Sequence, residues 1–199
     1  MSTRFILAAV LAGVAMFAWG AISHMFLPWH EATMQTFRDE DLVAEVLMKE
    51  APVSGIYIAP MAGMLDEGLT SEQKDQRMQE AWAKGAKGPN VFLSFHREGK
   101  DGMAAPMILD FLTLVLLSLV MLWLLQTVPG LTFGGKVLFV TIVGTLGMAL
   151  VQLEQWIWWS FSTSYALVNI VDGAIRWAAG GAVMAWMGTA REKNPVIRR

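Results

Sequence analysis

Five ionisable side chains lie within or at the ends of long apolar stretches: His24, Asp110, Glu154, Asp172 and Arg176. A charge at mid-bilayer costs about 2.5–3.5 kcal/mol on insertion scales, so such groups face a protein interior or a wet cavity, or pair with one another. Asp172 and Arg176 are four residues apart, a spacing that lets their side chains meet on one helical face, and Tyr165 and Asn169 extend that face. In the first stretch Ala9, Gly13, Gly20 and His24 share a face, and in the third Gly144, Gly147, Val151, Glu154 and Trp158 do. Small residues let helices approach closely in lipid. The faces that carry polar groups therefore carry glycines too, and both are expected to point inward. The expected site is one polar cavity formed by His24, Asp110, Glu154, Asp172, Arg176 and Asn169. Proton transfer, ion passage or an inter-helix bond are the chemistries open to Glu154 there.

The elements that must hold these residues are four predicted spans, 5–27, 107–128, 137–161 and 165–187. Each is long enough to cross about 30 Å of hydrocarbon at 1.5 Å per residue. The composition agrees: 55% of the 199 residues are hydrophobic, only 16% are charged, and mean hydropathy is +0.45. Disorder, a fibrous repeat and nucleic-acid binding through a basic field are excluded on these figures. A cleaved signal peptide competes for the first stretch, with Arg4 as its basic region and Ala18-Trp19-Gly20 as a cleavage signature. The apolar run continues to Leu27, however, longer than the 7–15 residues of a signal core, so a retained span is expected.

Lys and Arg in short loops set direction. Arg4, Lys136 and the basic tail 188–199, with Arg191, Lys193, Arg198 and Arg199, predict both termini on the cytoplasmic side of an inner membrane. The 78 residues of 28–105 then lie outside, with thirteen acidic and eight basic side chains. Asp39-Glu40-Asp41 and the Thr70/Gln73 capping pattern predict two helices there. Residues 55–60 and 90–96 predict two paired strands. This small α+β cap is expected to lean on the helices or on a partner, over a cavity in the outer half of the membrane. The predicted fold class is thus an all-α membrane protein, a four-helix transmembrane bundle with an external α+β insertion.

Trp29, Trp156, Trp158 and Trp159 are expected at the membrane interface, where aromatic rings concentrate. His24 and His30 are six residues apart across Pro28, which matches no metal-ligand motif, and no second intramembrane histidine offers itself for haem. Cysteine is absent, and so are a phosphate-binding loop, a nucleophile elbow and an internal repeat. No metal, cofactor or catalytic residue is expected. The expected partners are membrane lipid and either another protein or a second copy of the chain, with no nucleic acid.

The pattern Trp19-Gly20-Ala21-Ile22-Ser23-His24-Met25 into Leu27-Pro28, then Gly55-Ile56-Tyr57 with Pro60, Gly88-Pro89 before a strand, and Trp156-Ile157-Trp158-Trp159 with Phe161 and Tyr165, resembles a family of small bacterial four-span membrane proteins. The matches are short and scattered over most of the chain. Where family members carry W-N-W-Y-G-F-P, this chain has Trp156-Ile157-Trp158-Trp159-Ser160-Phe161-Ser162, without the Asn, Gly and Pro. The resemblance implies topology and no activity. The leading expectation is a non-enzymatic membrane protein that binds a partner or lipid. The alternatives are a small channel or transporter using Glu154 and the Asp172–Arg176 pair, and a membrane enzyme with Glu154 beside His24.

Overall fold

A computed structural model describes residues 2–61, 66–99 and 101–187. The predicted tail 188–199 lies outside the described residues. The chain is mostly helical with one small sheet, and it divides into two compact units, 1–35 with 102–199, and 36–101.

The first unit holds four long helices: α1 (Thr3–Met25), α4 (Ala104–Gln126), α5 (Phe133–Trp159) and α6 (Thr163–Met187). Three of them, α1, α4 and α5, are long and apolar enough to cross a membrane. Large apolar side chains such as Leu112, Leu116, Trp123, Leu146, Leu150 and Ile157 stand exposed along them, a surface suited to lipid rather than water. α6 carries Asp172 and Arg176 in its middle and packs along both α5 and α1.

The helix limits differ from the sequence reading by a few residues, for local reasons. α4 starts at Ala104, ahead of Pro106, because a proline in the first turn lacks only an N–H that has no helical partner there. α5 starts at Phe133 because the Thr132 hydroxyl accepts from Gly135 N and caps the helix four residues before Val137. It stops at Trp159 because Ser160 takes a left-handed conformation, φ 59°. The Ser162 hydroxyl accepts from Tyr165 N, which lets α6 begin at Thr163.

The packing order is α4–α1–α6–α5. α4 lies along α1 but makes only slight contact with α5 and α6. The four long helices therefore pack as an open row in which α4 touches mainly α1. Gly13 fixes the α1–α4 contact: a Cβ there would sit 2.7 Å from Val115 Cγ2 and 3.3 Å from the Val115 backbone nitrogen. A buried core of Phe5, Ala8, Ala12, Leu122, Val140 and Met184 joins the four helices at one end. At that end Arg4 Nε donates to Met187 O at 2.8 Å, tying the start of α1 to the end of α6.

The second unit contains α2 (Glu40–Glu50), β1 (Gly55–Ala59), α3 (Ser71–Gly85) and β2 (Val91–Phe95). β1 and β2 pair antiparallel with Tyr57 opposite Leu93. Asp39 caps α2, and Thr70 with Gln73 forms both halves of the capping box that opens α3. Arg97 Nη1 donates to Met48 O and Ala51 O, fastening the end of α2 to the residue chain beyond β2. Residues 28–35, which precede the second unit, cluster with the long helices. The turn at Glu31–Thr33 contacts α6, and Trp29 and His30 bond into α1 and α6.

Candidate functional site

Directly after α1 the chain reverses at Pro28 and brings Trp29 and His30 back along the helix they have just left. Trp29 Nε1 donates to Ser23 Oγ at 3.0 Å, and Ser23 Oγ lies 3.1 Å from His30 Nε2. Ser23, His30 and Asp172 are all buried, at 0%, 7% and 5% exposure, so every polar atom among them needs a partner. Asp172 Oδ1 accepts from Trp19 Nε1 at 2.8 Å. Its Oδ2 lies 3.9 Å from His30 Nε2 and 3.6 Å from Arg176 Nη2, the contact expected from the i,i+4 spacing. The His24 and His30 rings stack, with centroids 4.0 Å apart and planes 16° from parallel. His24 Nδ1 donates to Gly20 O at 3.0 Å. Burial holds the His30 pKa below its ordinary value; His24 and Arg176 act the same way, against the pull of Asp172.

A Cβ at Gly20 would lie 3.0 Å from Arg176 Nη2, so the guanidinium packs closely on the bare backbone there. Arg176 Nε is buried without a partner, so the guanidinium keeps donor capacity beyond its contact with Asp172.

Arg176 also faces open space. One recess of about 430 Å³ is lined by Gly20, His24, Met107, Asp110 and Arg176, among others. A second, of about 440 Å³, shares Asp110 and Arg176 with it and continues between α4 and the α5–α6 pair. Its walls are Leu114, Leu117, Met121 and Leu124 on one side and Val143, Gly147 and Trp177 on the other. Together they form a groove that is polar at one end and apolar along the rest. It exists because α4 stands away from α5 and α6.

His24, Asp172 and Arg176 thus come together as one cluster, and Asp110 joins Arg176 along the groove. Glu154 does not join them. It is exposed on α5 and makes no hydrogen bond or ion pair among the described residues. Its inward orientation was expected from the glycines on its face, and α4, which makes only slight contact with α5, does not cover that face. Asn169 Nδ2 donates to Tyr165 O within its own helix. Trp156 Nε1 donates to Thr163 Oγ1, and Trp158 is 74% exposed. Trp29, expected at the interface, is half-buried in the cluster and meets Trp19 edge to face.

Sequence reasoning missed His30 as a member of the cluster, and with it Ser23 and Trp19. The one available signal was Pro28 directly after the helix, which marks a turn able to fold His30 back over Ser23. Comparison with protein-family models, curated proteins and solved structures gives no match.

Proposed function

We propose that this chain is a four-span inner-membrane protein that binds a zwitterionic phospholipid, with the head at Asp110 and Arg176 and an acyl chain in the groove between α4 and α5–α6. The observation that carries the reading is the groove itself. Its cationic and anionic side chains sit together near the start of α4, and its walls are apolar from there on. From Asp110 to Leu124 it follows fourteen residues of α4, about 21 Å at 1.5 Å per residue, enough for a chain to run through one leaflet of a hydrocarbon core about 30 Å thick. A head with both signs suits a guanidinium and a carboxylate that make no salt bridge with each other: the phosphate accepts from Arg176 and the ammonium donates to Asp110. In the proposed topology α6 is the fourth span, both termini are cytoplasmic, residues 36–101 are periplasmic, and the bound lipid belongs to the outer leaflet.

Gly147 gives a clean test, because a Cβ there meets nothing within 4 Å although the residue lines the groove. Leucine at this position fills the space and favours the helix by roughly 0.8 kcal/mol over glycine. Native mass spectrometry of the full chain in mild detergent, supplied with mixed phosphatidylethanolamine and phosphatidylglycerol, should show one retained phosphatidylethanolamine per chain. Gly147→Leu should lose it while the helical content stays, and Asp110→Asn should lose the preference for the ethanolamine head. Equal lipid retention and equal selectivity in the original protein and both variants would overturn the reading.

A further inference from the structure

His24, His30 and Asp172 each offer one ligand atom, and these three atoms lie within 4.8 Å of one another. Their other contacts orient them. The Gly20 carbonyl can only accept, so His24 Nδ1 donates to it, and Nε2 is the His24 nitrogen left for an ion. Trp29 Nε1 donates to Ser23 Oγ, which leaves the Ser23 hydroxyl hydrogen free to point at His30 Nε2. His30 Nε2 lies 3.1 Å from that hydroxyl oxygen and faces Asp172 Oδ2 at 3.9 Å. One nitrogen of each imidazole and one carboxylate oxygen therefore converge. Two of the three residues are buried, so an ion held between them would be largely shielded from water.

We propose that His24, His30 and Asp172 bind a divalent transition-metal ion, of the zinc, cobalt or iron(II) type, as a two-histidine, one-carboxylate site with open coordination positions. Imidazole nitrogen with one carboxylate oxygen is a donor set for these ions rather than for calcium or magnesium. Tetrahedral coordination with bonds of 2.0–2.1 Å places donor atoms about 3.4 Å apart, so the ligands must draw in by about an ångström. His24 is exposed and sits at the end of α1, where a ring rotation supplies that movement. The outer contacts suit the role: Gly20 O orients His24, Trp19 Nε1 holds Asp172 Oδ1, and Ser23 bonds His30. Arg176 opposes it, because its Nη2 lies 3.6 Å from the same Oδ2 that the ion needs. The guanidinium and the ion therefore compete for one carboxylate oxygen. This gives the site a signature that a chance pair of surface histidines lacks.

The test uses the full chain in detergent, stripped with a chelator and titrated with Co²⁺. The expected result is saturable binding of one ion per chain with visible d–d absorption, displaced by Zn²⁺. His24→Ala, a change at an exposed residue, should weaken Co²⁺ at least about 100-fold, and Asp172→Asn should do likewise. Arg176→Gln should tighten it by about tenfold or more, because the competing charge is gone. Circular dichroism confirms that each variant keeps its helices; if His24→Ala loses them, His24→Gln takes its place. Binding that is absent, or unchanged in the His24 variant, would overturn the proposal. So would weaker rather than tighter binding in a folded Arg176→Gln protein.

Discussion

Removing the carboxylate of Asp172 tests whether the polar cluster holds α1 and α6 together. Asp172→Ala loses the 2.8 Å bond from Trp19 Nε1, a hydrogen bond to a charged acceptor worth about 1.5–3 kcal/mol. It also leaves Arg176, 22% exposed at its side chain, without its counter-ion, and breaking a buried pair from one side costs about 3–5 kcal/mol. The two losses overlap, so the expected total is about 3–5 kcal/mol. For a chain of this size that corresponds to a fall in Tm of roughly 6–20 °C. Asp172→Asn keeps an oxygen for Trp19 and loses only the charge, so it should fall between the original protein and Asp172→Ala. Arg176→Gln combined with Asp172→Asn removes both charges and should recover most of the loss of Asp172→Asn alone. Thermal unfolding in one detergent, followed by circular dichroism, ranks the four proteins. If Asp172→Ala and Asp172→Asn are equally mild, or if the double variant is worse than either single one, the cluster does not act as a coupled network.

Other outcomes follow from single contacts. Gly13→Ala should destabilise the α1–α4 contact by about 1–3 kcal/mol, read as a lower Tm, because the new methyl meets Val115 side chain and backbone at once. Thr70→Ala should cost about 1 kcal/mol at the start of α3 and speed amide exchange in its first turn. Ser54 Oγ donates to Glu98 at 2.7 Å and holds its pKa below the ordinary 4.5. The sign follows: a depressed carboxyl contributes stability above 4.5 that is lost as pH falls through its folded value. Ser54→Ala should move the Glu98 carbonyl titration in carbon NMR upward toward 4.5; no movement would discount the bond. Because the chain has no cysteine, single Cys replacements give clean topology probes. A Cys at Lys136 should be shielded from an impermeant thiol reagent in intact cells, and one at Arg97 should react.

Local structure was legible where short-range chemistry decides it. The Asp39 cap, the Thr70/Gln73 box and the alternation over 90–96 each specify their element within a few residues, and all of them form. The Asp172–Arg176 contact was legible for the same reason, since helical spacing alone brings the two together. What depends on which helices touch was not legible. Glu154 and Gly147 share a face of α5, yet whether that face is covered depends on α4, and nothing in the α5 sequence says that α4 packs on α1 instead. His30 was hidden by a chain reversal: seven residues along a straight helix would carry it about 10 Å along the axis from Ser23, whereas the turn at Pro28 folds it back. The groove and the ligand triad are therefore products of packing and of one turn, beyond the reach of periodicity.

Lipid binding requires the groove to be occupied in a bilayer. Electron cryomicroscopy of the full chain in nanodiscs of phosphatidylethanolamine and phosphatidylglycerol reads this directly. It should show elongated density between α4 and the α5–α6 pair, with its head against Asp110 and Arg176. A groove closed by α4 packed onto α5, leaving no space beside Gly147, would contradict it.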